Sequence, residues 1–116
     1  MKVRDIIGIL DAQVLQEGDL DTEVITACGS DMMSDVLAFV KDQSVLLTGL
    51  MNTQVVRTAE MMDMRCVIFV RGKEVDPAIV QLAAQKNITV LQTRYRMFTA
   101  CGLLYLNGLR GGCEGA

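Results

Sequence analysis

The chain has 116 residues with no histidine and no tryptophan, and 11 Lys and Arg against 14 Asp and Glu give a formal net charge of −3. One domain with a real hydrophobic core is expected at this length. The mild acidity argues against a nucleic-acid surface, and the lack of histidine excludes His-based metal sites, Ser-His-Asp triads and Cys-His dyads.

The N-terminal third is predicted to contain a short helix, two strands and a second helix. The first helix covers Val3–Leu10, and the strands are Gln13–Gln16 and Glu23–Ala27, joined by a turn at Gly18-Asp19. Ser34 is the expected N-cap of the second helix. The apolar face of that helix holds Val36, Leu37 and Val40.

The rest of the chain repeats a short apolar strand followed by an amphipathic helix. The expected strands are Val45–Thr48, Cys66–Val70 and Ile88–Leu91, which are continuous apolar runs. Asn52 is the expected N-cap of the helix after the first strand, and Asp76-Pro77 has the N-cap and N1 proline of the next helix. Buried strands separated by helices predict an α/β fold with a mainly parallel sheet.

A last helix is predicted over about Tyr95–Leu106, with Gly108 as its C′ residue. Its inward-facing residues are expected to be Met97, Phe98, Cys101, Leu104 and Tyr105. We expect one domain over residues 1–109 and a flexible, glycine-rich tail over 110–116. With an N-terminal apolar run too short for a signal peptide and no apolar segment of about 18 residues, the protein is expected to be cytoplasmic.

The sequence motifs of common catalytic and metal sites are missing. No phosphate-binding or dinucleotide-binding glycine motif occurs, and no paired carboxylates stand at helical spacing in an apolar setting, so no catalytic residue, metal or cofactor is assigned. Cys28, Cys66 and Cys101 are interpreted as small buried hydrophobes in a reducing compartment. Cys113 is expected to be exposed in the tail.

Polar residues follow the predicted strands at the edge where an open parallel sheet binds ligands. Helix N-termini at this edge also offer free amides and partial positive charge. The candidate ligand-binding residues are Ser30, Asp31, Thr48, Gly49, Asn52, Thr53, Arg71, Gly72, Thr93 and Arg94. Hydroxyls, an amide, glycines and arginines suit an anionic ligand such as a nucleotide or phosphate. The alternative is that they are ordinary turn and cap residues.

The composition also predicts self-association. Hydrophobic residues make up 51% of the chain, with eight methionines, and the mean hydropathy is +0.33. A chain this small leaves some apolar surface outside the monomer core, which favours a homodimer.

Several local strings resemble the DRTGG domain family, over nearly the whole chain to about Leu109. They are Val3–Ile7, Gly29–Leu37, Cys66–Pro77, Asn87–Thr93 and the helix through Phe98 to Tyr105. The resemblance implies a three-layer α/β sandwich similar to the N-terminal domain of HPr kinase/phosphorylase. Where many relatives have a Thr-Gly-Gly-like turn, this chain has Val70-Arg71-Gly72, so Arg71 replaces a smaller residue.

The resemblance also implies a regulatory or assembly role without catalytic residues. Such domains occur beside regulatory modules in phosphotransacetylases and in inorganic pyrophosphatases with CBS domains. Others are small stand-alone proteins, some encoded near iron-only hydrogenase or electron-transfer systems of anaerobes. We therefore expect a non-catalytic module that dimerises and binds a protein partner or ligand. The alternatives are a sensor of an anionic or nucleotide ligand and a catalytic protein that uses Asp31 or a cysteine.

Overall fold

The computed structural model describes residues 1–39 and 44–112, which alternate between short helices and short strands. In chain order the elements are α1 (Val3–Leu10), β1 (Gln13–Gln16), β2 (Thr26–Gly29), α2 (Met33–Phe39), β3 (Ser44–Thr48), α3 (Gln54–Met61), β4 (Cys66–Phe69), α4 (Pro77–Gln85), β5 (Thr89–Gln92) and α5 (Met97–Leu106).

The strands form one mixed sheet in the order β1-β5-β4-β3-β2. Strands β2 to β5 are parallel to one another, and β1 pairs antiparallel with β5 at one edge. The three strands predicted from apolar runs are β3, β4 and β5, and they are adjacent in this sheet. The predicted α/β class with a mainly parallel sheet is therefore confirmed.

Helices cover both faces of the sheet because alternate strand residues point to opposite sides. One core packs beneath α2, α3 and α4, and it takes Leu46, Val67 and Val90 from the central strands. The other packs beneath α1 and α5, and it takes Leu47, Ile68 and Leu91. The sheet therefore lies between two helical layers, each with its own hydrophobic core.

The prediction for the second strand was wrong in its bounds. β2 covers Thr26–Gly29 rather than Glu23–Ala27, and β1 and β2 lie at opposite edges of the sheet. β2 begins and ends later than predicted because its residues are those that pair in register with Ser44–Leu47 of β3. Upstream of β2, Glu23 forms an isolated antiparallel bridge with Lys2.

The predicted capping residues of α3 and α4 each bond to the first turn of their helix, whereas the predicted cap of α2 does not. Asp76 is the N-cap of α4, and its carboxylate accepts a hydrogen bond from the Ala78 amide at 2.9 Å. Asn52 Oδ1 accepts from the Gln54 amide at 2.8 Å, although α3 begins only at Gln54. Ser34 is not an N-cap, because α2 already begins at Met33 and its first turn bonds to the Met32 carbonyl. Val40, predicted on the same helix, lies outside the described residues.

The last helix differs from its prediction in which side faces the core. Phe98 and Tyr105, expected inside, are 82% and 51% exposed. Leu104 is buried, and Met97 and Cys101 are half-buried. The sequence hides this orientation because α5 is apolar on all sides, so its periodicity does not mark the inner face.

The end of α5 has the predicted C′ glycine. Gly108 has φ of 114°, its amide donates to the Tyr105 carbonyl, and the Leu109 amide donates to the Leu104 carbonyl. This is the Schellman pattern, which favours glycine at C′. Arg110 then forms a parallel bridge with Thr26 on β2. Cys113 and the rest of the expected tail lie outside the described residues.

Candidate ligand-binding site

Four of the residues predicted at the site meet beyond β3 and β4. Asp31 Oδ1 accepts hydrogen bonds from the Gly49 amide at 2.7 Å and from the Thr48 hydroxyl at 3.1 Å. The Arg71 guanidinium donates to the Gly49 carbonyl at 3.3 Å. Asp31, Thr48, Gly49 and Arg71 form what we call the Asp31 cluster, and its hydrogen-bonding groups largely satisfy one another.

Gly49 lets the Arg71 guanidinium approach the backbone of the Asp31 cluster. An added Cβ at residue 49 would lie 2.9 Å from the guanidinium carbon, so the exposed Arg71 side chain would have to move away from it. Arg71 itself has φ of 73°, in the left-handed region that a non-glycine residue rarely adopts. Its amide donates to the Tyr95 carbonyl at 2.8 Å, which holds the turn after β4 against the loop after β5.

The Asp31 carboxylate is held in its charged form. The hydrogen bond from the Gly49 amide lowers the pKa of Asp31, and the Thr48 hydroxyl and the charges of Arg71 and Lys73 act in the same direction. Burial opposes these effects, but the net result is a pKa below the usual range for an aspartate. A carboxylate stabilised in this way is a poor proton donor, so the geometry favours a structural role for Asp31.

The remaining candidates do not join the Asp31 cluster. Thr93 is buried on the opposite face of the sheet from Thr48, and its hydroxyl donates to the Leu10 carbonyl at 2.8 Å. Ser30 Oγ bonds the Met32 amide and carbonyl, and Asn52 caps the first turn of α3. The Thr53 carbonyl accepts from the amides of Val56 and Arg57. These residues are placed as turn and cap residues, which is the alternative that the sequence left open.

Gly72 and Arg94 lie elsewhere, on a groove beyond the carboxyl ends of β4 and β5. This groove has a volume of about 310 Å³ and is lined by Asp11, Gln13, Gly72, Gln92 and Arg94. Gln13 and Gln92 are partners in the antiparallel register of β1 and β5. Gly72 is fixed beside Arg94, because its amide donates to the Thr93 carbonyl at 2.9 Å. We call this space the edge groove.

The edge groove lies where the chain changes faces of the sheet. The connection after β4 leads to α4 in one helical layer, whereas the connection after β5 leads to α5 in the other. Adjacent parallel strands whose connections leave to opposite sides create a crevice at their carboxyl ends, and ligands of open α/β sheets bind in such crevices.

A larger cavity adjoins the edge groove beside the start of α4. It has a volume of about 540 Å³ and shares Gln13 and Gln92 with the edge groove. Its other lining residues are Leu15, Glu74, Val75, Pro77, Val80 and Gln81. The cavity therefore combines apolar walls with three side-chain amides. Sequence reasoning missed it, although the polar Gln92 at the end of an apolar strand was an available signal.

Positive charge accumulates in the two loops beside the edge groove. Arg71, Lys73, Arg94 and Arg96 are exposed, and among residues 1–39 and 44–112 none of them forms an ion pair. Acidic residues also border the space, namely Asp11 in the edge groove and Glu74 in the cavity. The site thus offers cationic donors, carboxylate acceptors and neutral amides in two adjoining spaces.

The three described cysteines do not line these spaces. Cys66 is buried as predicted, whereas Cys28 and Cys101 are half-buried. Burial raises the pKa of the Cys66 thiol to about 12 and also raises the pKa of Cys28 and Cys101. All three are free thiols, and a raised pKa disfavours the reactive thiolate. Across the described ranges, no three Cys, Asp or Glu residues are grouped to hold a metal ion. Nor does any helix there have the length and apolar character needed to cross a bilayer.

Comparison with known proteins gives a family and similar solved structures. A family model described as the DRTGG domain matches residues 5–106. A solved structure of the CBS and DRTGG domains of the regulatory region of Clostridium perfringens pyrophosphatase, complexed with activator, diadenosine tetraphosphate, superposes with a TM-score of 0.75 at 19% identity. The match covers 89% of this chain and 45% of that one, so this chain spans about half of its length. No curated protein matches the sequence.

Proposed function

The chain belongs to the DRTGG domain family, and from this premise we propose that it is a non-catalytic regulatory module that binds a nucleotide in the edge groove and the adjoining cavity. The observation that carries the proposal is that the edge groove and the cavity adjoin, since Gln13 and Gln92 line both. The cavity has apolar walls and side-chain amides, and the edge groove holds Arg94 and Asp11.

Each of the two spaces suits a different part of a nucleotide. A base fits between apolar walls, where the amides of Gln13 and Gln81 can pair with its polar edge. The Gln92 side chain is held in place, since its Nε2 donates to the Lys73 carbonyl. Asp11 can accept hydrogen bonds from ribose hydroxyls, as carboxylates do in dinucleotide sites. The Arg94 guanidinium forms no ion pair with any residue that the structure describes, and it is suited to bidentate bonding with a phosphate. The fold neighbour was solved with a dinucleotide activator, which supports the choice of ligand class.

The test is a binding experiment that distinguishes the two spaces. We expect adenosine mono- and diphosphate, and diadenosine tetraphosphate, to raise the melting temperature of the full chain, because a ligand at about 100 times its Kd adds about 2.7 kcal/mol of stability. Inorganic phosphate alone should stabilise less, because it leaves the cavity empty. Arg94→Ala should weaken nucleotide binding at least about tenfold, the loss expected for a charge-assisted hydrogen bond.

Arg57→Ala is the matched control, because Arg57 is an exposed cation on α3 that has no ion pair among the described residues. It should leave binding unchanged. Failure of every nucleotide to shift the melting temperature at millimolar concentration would refute the proposal, and so would equal weakening by Arg57→Ala and Arg94→Ala.

We also propose that the module acts as a homodimer that can engage a protein partner, as the exposed apolar residues Phe98 and Leu106 suggest. The sheet between two helical layers supports a relationship to the N-terminal domain of HPr kinase/phosphorylase. A cytoplasmic location, an accessory role in anaerobic energy or electron-transfer metabolism, and a domain boundary near residue 109 are also proposed on the family resemblance.

A further inference from the structure

The outer face of α5 is apolar and uncovered in the single chain. The helix contains no charged residue, a composition typical of a helix buried on all sides. Yet Phe98 and Leu106 are each 82% exposed, and Tyr105 is 51% exposed. With Thr99 and Gly102 these residues form the outer α5 face. An added Cβ at Gly102 would meet no atom within 4 Å, so the middle of this face is open.

The residues of the outer α5 face are placed symmetrically about Gly102. Phe98 and Leu106 lie four residues before and after it, and Thr99 and Tyr105 lie three residues before and after it. If two α5 helices pack antiparallel about Gly102, Phe98 of one copy lies beside Tyr105 of the other, and Thr99 lies beside Leu106, because each of these pairs is on the same side of the helix seam. A two-fold interface requires this self-complementarity, since each contact must occur twice. Gly102 permits close approach of the two backbones at the crossing point.

We propose that the occupant of the outer α5 face is a second copy of this chain, packed antiparallel with the two-fold axis at Gly102. The inference rests on the proposed dimerisation and names its surface. No residue of α5 is charged, so no like charges within the helix are brought together when two such faces meet. The Arg110 guanidinium stacks on the Tyr105 ring at 4.2 Å and contributes one positive charge beside this face.

The exposed area sets the extent of the interface. At their exposed fractions, Phe98, Tyr105 and Leu106 leave roughly 400 Å² open, since aromatic side chains present about 150–250 Å² each. A stable dimer buries about 800 Å² per partner. The remainder has to come from neighbouring surface, and α1 packs beside α5 in the same layer. Arg4 and Asp5 are exposed on α1 and would contribute the polar rim that surrounds an apolar interface core.

The first test is the mass of the full chain in solution, measured by light scattering after size exclusion. We expect a dimer. Leu106→Glu and, independently, Phe98→Glu should raise the dissociation constant more than about tenfold, because each places two buried charges in the symmetric interface. Met61→Glu is the matched control, since Met61 is 71% exposed but lies on α3 in the opposite helical layer. Circular dichroism checks that each variant is folded.

The outcomes separate this inference from the wider proposal. A monomeric native chain would overturn dimerisation altogether, while leaving nucleotide binding to its own test. A native dimer that survives both Leu106→Glu and Phe98→Glu would overturn only the outer α5 face. An assembly larger than a dimer, or equal loss with Met61→Glu, would also overturn it.

The second test locates the axis. A residue on a two-fold axis meets its own counterpart, so Gly102→Cys in a Cys113→Ser background should give a covalent dimer on mild oxidation. Thr99→Cys in the same background lies beside Leu106 of the second copy and should form at least about ten times less covalent dimer. Equal cross-linking at both positions, or none at residue 102, would overturn the antiparallel arrangement.

Discussion

Asp31 shows how one charge joins segments that are distant in the chain. Asp31 is exposed to solvent, yet its carboxylate accepts hydrogen bonds from the amide of Gly49 and the hydroxyl of Thr48, and both of these residues are buried. A buried amide without an acceptor is costly, so Asp31 is required by the backbone at the end of β3. The pKa of Asp31 is lowered mainly by the Gly49 amide, and this makes its contribution to stability depend on pH.

The sign of that dependence follows from proton linkage. A carboxyl whose pKa is lower in the folded than in the unfolded state contributes stability above its unfolded pKa of about 3.9. This contribution is lost as the pH falls through the folded value. We expect Asp31→Asn, which keeps an acceptor oxygen but removes the charge, to lower the free energy of unfolding at pH 7 by about 0.5–1 kcal/mol. At pH 2 the difference from the native chain should be much smaller.

Urea unfolding at the two pH values measures this effect. Asp35→Asn is the control, because Asp35 lies on α2 and its carboxylate accepts no hydrogen bond from the described residues. It should show a smaller change at pH 7. An Asp31→Asn penalty of the same size at pH 2 and pH 7 would show that the charge does not stabilise the fold.

At the scale of elements, α4 is the helix whose start has the most complete capping signal. Asp76 is its N-cap, Pro77 is at N1, and the Ala78 amide is bonded by the Asp76 carboxylate. Asp76→Ala should lower the free energy of unfolding by about 1 kcal/mol, because the amide loses its acceptor and the helix loses a favourable charge at its N-terminus.

Asp76→Ser separates these two causes, because serine keeps an acceptor oxygen at the N-cap without the charge. It should restore most of the stability that alanine loses, as measured by thermal or urea unfolding. Equal losses for alanine and serine would assign the effect to the charge instead of the hydrogen bond.

The sequence predicted those elements whose signal is local. The strands β3, β4 and β5 are continuous apolar runs, and α4 has its cap and proline, so their positions were found closely. The start of β2 was not found, because its pairing with β3 and the bridge of Glu23 with Lys2 are tertiary features. The face of α5 was not found either, since a helix that is apolar all round carries no periodic mark.

The candidate site was predictable only in part, for a geometric reason. Residues after parallel strands do share one edge of the sheet, and this brought Asp31, Thr48, Gly49 and Arg71 together. Whether each side chain points to one face or the other depends on an exact register that a sequence does not fix. A one-residue difference reverses the face, which is why Thr93 is on the opposite face from Thr48.

At the scale of the whole molecule, two hydrophobic cores depend on one sheet. Strand β4 alone contributes Val67 and Phe69 to the core beneath α2, α3 and α4, and Cys66 and Ile68 to the core beneath α1 and α5. Neither core can persist without the central strands, because those strands form one wall of each. The two layers are therefore expected to unfold together in one cooperative transition, as is usual for single domains below about 150 residues.

Truncating one buried side chain in each layer tests this coupling. Leu104 on α5 and Ile79 on α4 are each 1% exposed and lie on opposite faces of the sheet. Leu104→Ala and Ile79→Ala should each lower the free energy of unfolding by about 2–5 kcal/mol, the usual loss for a core truncation.

Tyrosine fluorescence reports on the α5 side alone, since the two tyrosines are Tyr95 and Tyr105, whereas circular dichroism reports on all helices and strands. At a fixed protein concentration both signals should shift to the same lower urea midpoint in both variants. Fluorescence that shifts with Leu104→Ala but not with Ile79→Ala would show that the layers unfold separately and that the shared sheet does not couple them.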